Sequence, residues 1–299
     1  MAFRTIATGL RFPEGPIAMP DGSVVLVEIA RGTLSRVTPN GVVEVIAQLG
    51  GGPNGAAIGP DGRCYVCNNG GFKWIERDGR LFPGEQPDDY RGGSIQRVDL
   101  KSRAVETLYS ACDGRRLCGP NDIVFDRTGG FWFTDHGKTR ARERDRTGVF
   151  YARADGSRIN EAIFPMEGPN GIGLSSDESE LYVAETVPGR LWAYKLTGPG
   201  QVSSERRLLP GIPGFYMYDS LAVDAAGNVC VATLINGGIS IVSPAGDAAR
   251  FVSVPDRLTT NICFGGRDLR TAYITASSVG HLLATDWEGP GLPLNFLNR

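Results

Sequence analysis

Pro120-Asn-Asp-Ile-Val-Phe-Asp-Arg-Thr-Gly-Gly-Phe-Trp-Phe-Thr-Asp135 is the stretch that decides the architecture. A polar residue, Asn121, leads a short apolar run; Asp-Arg-Thr-Gly129 reads as a tight turn; residues 131–134 form a second apolar run. Two apolar runs across a Gly-containing turn are the signature of an antiparallel hairpin. The same pattern recurs at residues 14–22, 54–62, 170–178, 219–227 and 261–269, led by Glu14, Asn54, Asn170, Asp219 and Asn261. Each copy is followed by an apolar strand, at 24–27, 64–67, 181–184, 229–232 and 271–275.

The six leading residues are spaced by 40, 67, 49, 49 and 42 residues. A period of that size suits a unit of four short strands, which is one blade of a propeller. The expected fold is therefore all-β: one six-bladed β-propeller domain over residues 1–299, with a metal site on its central axis. The longest interval holds residues 72–93, a polar, Gly-rich insertion carrying Trp74 and Tyr90, read as a surface loop over one mouth of the channel. The segment Phe3-Arg-Thr-Ile-Ala7 reads as a strand that completes the last blade and removes an open sheet edge.

Rotation about a propeller axis relates equivalent positions, so Glu14, Asn54, Asn121, Asn170, Asp219 and Asn261 are expected to converge on the channel. Two carboxylates and four amides make a ring of hard oxygen donors, suited to Ca, Mg or Mn and also able to hold Zn. The same residue types also favour turns for backbone reasons. Glu14 is the exception, being a poor turn former, and six such positions in register favour a functional ring. A second set, Glu28, Asn68, Asp135, Ala184, Thr233 and Thr275, with Glu185 one further on, lies fourteen residues after the leaders and reads as an outer shell or as strand caps.

Bulk properties exclude other classes. The 31 Lys and Arg balance 33 Asp and Glu and form no basic stripe, so no nucleic-acid partner is expected. Met-Ala-Phe-Arg at the start has no apolar signal core, and no stretch is long enough to span a bilayer, so no membrane association and a cytoplasmic location are expected. In that compartment the six cysteines are expected to be thiols; Cys64 and Cys67 fall on opposite faces of one strand, and Cys112 and Cys118 lie in a loop. His136 and His281 are the only histidines, which rules out a multi-histidine metal site. The sequence holds no Gly-x-Ser-x-Gly elbow and no GxxxxGK phosphate loop.

The ring motifs carry a family likeness. Glu14-Gly-Pro, Pro120-Asn121-Asp122 with Phe131-Trp-Phe-Thr-Asp135, Pro169-Asn170-Gly171 and Tyr218-Asp219-Ser220-Leu-Ala-Val-Asp224 stand in the order found in the senescence marker protein, gluconolactonase and luciferin-regenerating enzyme family, which the sequence resembles along nearly its whole length. The resemblance implies a six-bladed propeller with one axial divalent cation. It makes Glu14, Asn170 and Asp219 the metal ligands, Asn121 a residue that approaches metal or substrate, and Asp219 the base. It further implies hydrolysis of a small lactone, such as a sugar lactone. Asn54, Asn121, Arg116, Asp135 and His136 are the expected substrate contacts. In Arg116-Leu-Cys118, cysteine stands where sugar lactonases of that family often carry asparagine. A non-catalytic propeller binding a protein or peptide is the alternative from another class, and amine–aldehyde condensation like that of strictosidine-synthase-like proteins is a third. A monomer or small homo-oligomer is expected.

Overall fold

Twenty-four of the strands assemble into six four-stranded antiparallel sheets in the computed structural model, which describes residues 1–299. Their innermost strands are Pro13–Ala18, Pro53–Ile58, Pro120–Phe125, Pro169–Leu174, Met217–Val223 and Thr259–Gly265. Each packs against the next, and the sixth against the first, so the sheets close as a six-bladed propeller. No helix is present that is long and apolar enough to cross a membrane.

Strands form here because both faces of each blade are covered. The second strands Val24–Glu28, Cys64–Asn68 and Gly130–Asp135 are buried at every position, which accounts for their continuous apolar runs. The buried core divides into six clusters, one between each pair of neighbouring blades. Cys64 packs between blades one and two and Cys67 between blades two and three. The opposite faces of one strand thus feed two different cores. All six cysteines are free thiols.

Closure comes from the N-terminal segment. Arg4–Ala7 pairs antiparallel with His281–Asp286 and completes the sixth sheet. The adjoining interface between blades six and one is the smallest of the six clusters, centred on Leu10, Leu26 and Leu282. The axis itself is tight. A Cβ on Gly171 would stand 2.6 Å from the Asp219 carbonyl oxygen of the next blade, so only glycine permits that approach.

Residues 72–93 differ from the expected loop. They contain a β-hairpin, Trp74–Arg77 with Arg80–Pro83, turning at Asp78-Gly79, both with positive φ. An Asp-Gly pair of that conformation matches the twist of a two-residue hairpin. The Leu81 amide bonds the Ser278 carbonyl of blade six (2.9 Å), and the Gln86 amide bonds the Thr139 carbonyl after blade three (2.9 Å). The insertion therefore spans one mouth of the channel. The opposite mouth is crossed by the C-terminal segment, where Leu292 bonds Val223 and Asn295 reaches the Phe125 carbonyl and Glu178.

Candidate active site

Every innermost strand carries a register shift near its start, just where it meets the end of the second strand. Such bulges re-aim side chains. Here they bring Glu14, Asn54, Asn121, Asn170 and Asp219 into the wall of one cavity of about 310 Å3 under the 72–93 insertion. Five of the six expected ring residues thus share one site.

The sixth position holds Thr260, not Asn261. Asn261 lies as far before its turn as the other leaders do, but in blade six the regular pairing runs two residues further. Asn261 still faces Thr275, and the shift falls before it, next to Thr259 opposite Ala276. Asn261 is therefore displaced to a lower layer with Asp122, lining the opposite end of the axis. From there its Nδ2 donates to Glu14 Oε2 at 2.7 Å, and its Oδ1 accepts the Ile262 amide. The Gly15 amide donates to the same Glu14 oxygen at 2.7 Å, which fixes the carboxylate.

Electrostatics in the ring are unbalanced. Burial raises the Glu14 pKa. Burial, and then the charge of Glu14, raise that of Asp219 well above the usual carboxylate range. Asp122, one layer below, is pushed up to about 7 by burial and then by Glu14. Two buried carbonyl oxygens, Asn121 Oδ1 and Asn170 Oδ1, have no hydrogen-bond partner, although Asn170 Nδ2 is held by Thr186 Oγ1 at 3.0 Å. A buried acceptor left without a donor costs about 1–3 kcal/mol. Two of them beside two carboxylates form a donor set that fits a hard divalent cation. No group of three or more His, Cys, Asp or Glu residues has metal-binding geometry, so a cation here depends on those amide oxygens.

The remaining expected site residues separate. His136 lines the cavity. Burial, reinforced by Arg144 and Lys138, lowers its pKa to about 3, so the ring is neutral. Arg144 lies 2.8 Å from Nε2; a guanidinium can only donate, which places the imidazole proton on Nδ1. Nδ1 has no partner in the protein. Asp135, in contrast, is absent from the cavity wall. Its oxygens accept the amides of Cys118 and Gly119 at 2.7 Å each. It is one of a series. Glu28 accepts the Arg11 amide, Asn68 that of Gly52, and Glu185 that of Glu167. Each latches the segment leading into its own innermost strand, so this outer set caps strands and positions the ring. Arg116 is exposed on a two-residue strand, Arg115–Arg116, outside the cavity. Cys118 is turned to the insertion, its carbonyl accepting from the Tyr90 hydroxyl at 2.5 Å.

Several cavity residues carry no sequence signal. Phe72, Phe82 and Pro83 of the insertion line its upper wall. Lys138 also lines it, buried, with Nζ on the Gly71 carbonyl (2.6 Å) and Asn69 Oδ1 (3.2 Å). A lysine three residues after a strand-ending Asp reads in sequence as a surface charge.

The chain is similar to several known proteins. The gluconolactonase of Zymomonas mobilis is 27% identical over 91% of this chain and 78% of its own length. Lactonase drp35 of Staphylococcus saprophyticus is 26% identical over 93% and 80%. Among solved structures, a gluconolactonase from Xanthomonas campestris superposes with a TM-score of 0.76 at 22% identity, covering 95% of this chain and 89% of that one. Regucalcin from Agrobacterium tumefaciens, a calcium-binding protein, gives 0.76 at 19%, covering 100% and 97%. These structural likenesses concern the fold. The model of the SMP-30/gluconolactonase/LRE-like region matches residues 12–278, and the chain belongs to that family.

Proposed function

We propose that the chain opens small lactones by hydrolysis at the roofed end of the channel, with one divalent cation held by Glu14, Asn170 and Asp219 and approached by Asn121. The observation that carries this reading is the pair of partnerless carbonyl oxygens, Asn121 Oδ1 and Asn170 Oδ1, in one cavity with two carboxylates. The lactonase relatives support the reaction class.

When bound, such a cation supplies Lewis-acid polarisation of the ester carbonyl. The chain's own groups do the rest. Asn261 and Gly15 hold Glu14 in place, and Thr186 orients Asn170. Asp219 is partly exposed to the cavity and accepts a proton from the attacking water. The amide N–H groups of Asn54 and Asn121 donate to the oxygen on which charge develops. His136 offers its Nδ1 proton to the substrate. The water oxygen bonds the carbonyl carbon and the ring C–O bond breaks. The proton held by Asp219 passes to the departing alkoxide, and the new carboxylic acid releases the second proton to solvent.

That released proton is the assay. Chelated protein reloaded singly with Ca, Zn, Mg or Mn is expected to recover turnover on a lactone panel with at least one ion. Full turnover after exhaustive chelation contradicts the cation's role, and no turnover under any loading contradicts the reaction. A non-catalytic propeller gives no reason for Glu14 and Asp219 to share an enclosed cavity.

A further inference from the structure

The 72–93 insertion lies outside the repeat and is absorbed by none of the chemistry above, yet it builds the upper half of the cavity. Two regions of opposite character meet there. Below is the polar ring. Above it the wall is Phe12, Ile29, Phe72, Phe82, Leu234 and Leu258.

At that upper level Gln86, Thr186 and Lys138 are each held by the protein itself, and His136 Nδ1 is left without a partner. Gln86 Oε1 accepts from Arg140 at 3.1 Å. Thr186 Oγ1 accepts from Asn170. Lys138 Nζ is bound to Asn69 and Gly71. No Asp, Glu or Arg lines the cavity above the ring. A polyhydroxylated substrate would bury hydroxyls against hydrocarbon with few partners, at a cost of about tenfold or more in affinity for each. A hydrocarbon group would gain from the same wall.

The roof is fixed rather than draped. Besides its backbone bonds to Ser278 and Thr139, Arg80 pairs with buried Asp256 at 3.3 Å. Trp74 packs on Phe12 (centroids 5.1 Å) and Phe72 (5.8 Å). Lys138 Nζ sits 4.3 Å from the centroid of the Phe72 ring and 5.5 Å from that of Tyr90. The buried Lys138 Nζ, against two aromatic faces and with two oxygen acceptors, ties blade three to the insertion.

We propose that the insertion is a selecting roof, in which Phe72 and Phe82 choose a lactone carrying an apolar substituent over a polyhydroxylated one, and Lys138 is the positioning residue that locks the roof in place. The proposal deepens the lactonase reading and rests on it for the reacting ester only.

The test pairs turnover with binding, on the metal-loaded full chain. Proton release gives kcat and KM for γ-phenyl-γ-butyrolactone and for D-glucono-1,4-lactone. Calorimetry gives affinities for unreactive cyclic ethers of the two kinds, 2-phenyltetrahydrofuran and a 1,4-anhydroalditol. The wild type is expected to prefer the phenyl member at least about tenfold in both readouts. Phe82→Ser and Phe72→Ser, with unchanged melting curves, are expected to erode that preference about tenfold by weakening the phenyl compounds alone. Equal or reversed preference in binding overturns the proposal whether or not lactones are opened. Preferential ether binding with no lactone opened sinks the lactonase reading and leaves the roof standing. Lys138→Met is expected to raise KM for the phenyl lactone several-fold, hold kcat within about twofold and speed proteolysis within residues 72–93. An unchanged KM removes Lys138 from its role.

Discussion

The two ends of one channel are built from the same six strands and are chemically opposite. At the roofed end the strands present Glu14, Asn54, Asn121, Asn170, Asp219 and Thr260 to a cavity of about 310 Å3. A few residues further along, they present Ile123, Phe125, Ile172, Leu221, Ile262 and Phe264 to a space of about 100 Å3 under the C-terminal segment. The first end holds partnerless oxygens and clustered carboxyls; the second is a hydrophobic plug. The contrast teaches that the repeat does two jobs in sequence order. The apolar residues hold the ring together, and the leaders beside the bulges supply the polar groups on which the proposed chemistry rests.

The largest expected effect comes from the polar end. Asp219→Ala and Glu14→Gln are each expected to lower kcat/KM for a lactone by about a thousandfold or more, since each removes both a base or anchor and a cation ligand. Their melting temperatures are expected to stay close to wild type, because relieving crowded buried carboxyls offsets lost contacts. An active Asp219→Ala enzyme would break the comparison at its root.

Closure of the ring comes next. Removing residues 1–8 strips the strand paired with His281–Asp286 at the thinnest of the six cores. A fall in melting temperature of about 10 °C or more is expected, and an unchanged melt would show that the edge needs no partner. His136→Asn is expected to act on KM alone, by about tenfold, as one charge-free donor to substrate is lost. Equal loss in kcat would instead give it a part in the chemistry.

The smallest effect is expected at the plug. Truncation after residue 289 removes the bonds of Leu292 and Asn295 and is expected to cost a few degrees of melting temperature, with kcat/KM within about threefold. A large loss of turnover there would mean that the two ends are coupled.

Much of this was legible in the sequence because strand and turn chemistry are local. Apolar runs, Gly-containing turns and a recurring leader define six hairpins, and the spare strand at residues 4–7 falls out of the need to cover an edge. What escaped was set by pairing between strands. Asn261 lies the right distance from its turn, yet two extra pairs in blade six put Thr260 in the cavity and Asn261 beneath it. Asp135 looked like a pocket residue because it ends a strand at the right mouth; its oxygens are consumed by the Cys118 and Gly119 amides. Arg116 precedes the Asn121 motif closely in sequence but diverges into solvent. Phe82 reaches the site through an insertion outside the repeat and Lys138 through the loop after the second strand of blade three, and no periodicity describes either.

The central claim is that the polar ring takes up a single divalent cation on which catalysis depends. Titrating chelated protein with a divalent ion in a calorimeter, with lactone turnover followed on the same samples, tests it most directly. The expected result is one ion per chain, turnover rising in step with occupancy, and both lost together in Glu14→Gln. Turnover already complete in the ion-free protein, or uptake unaffected by Glu14→Gln, would contradict it.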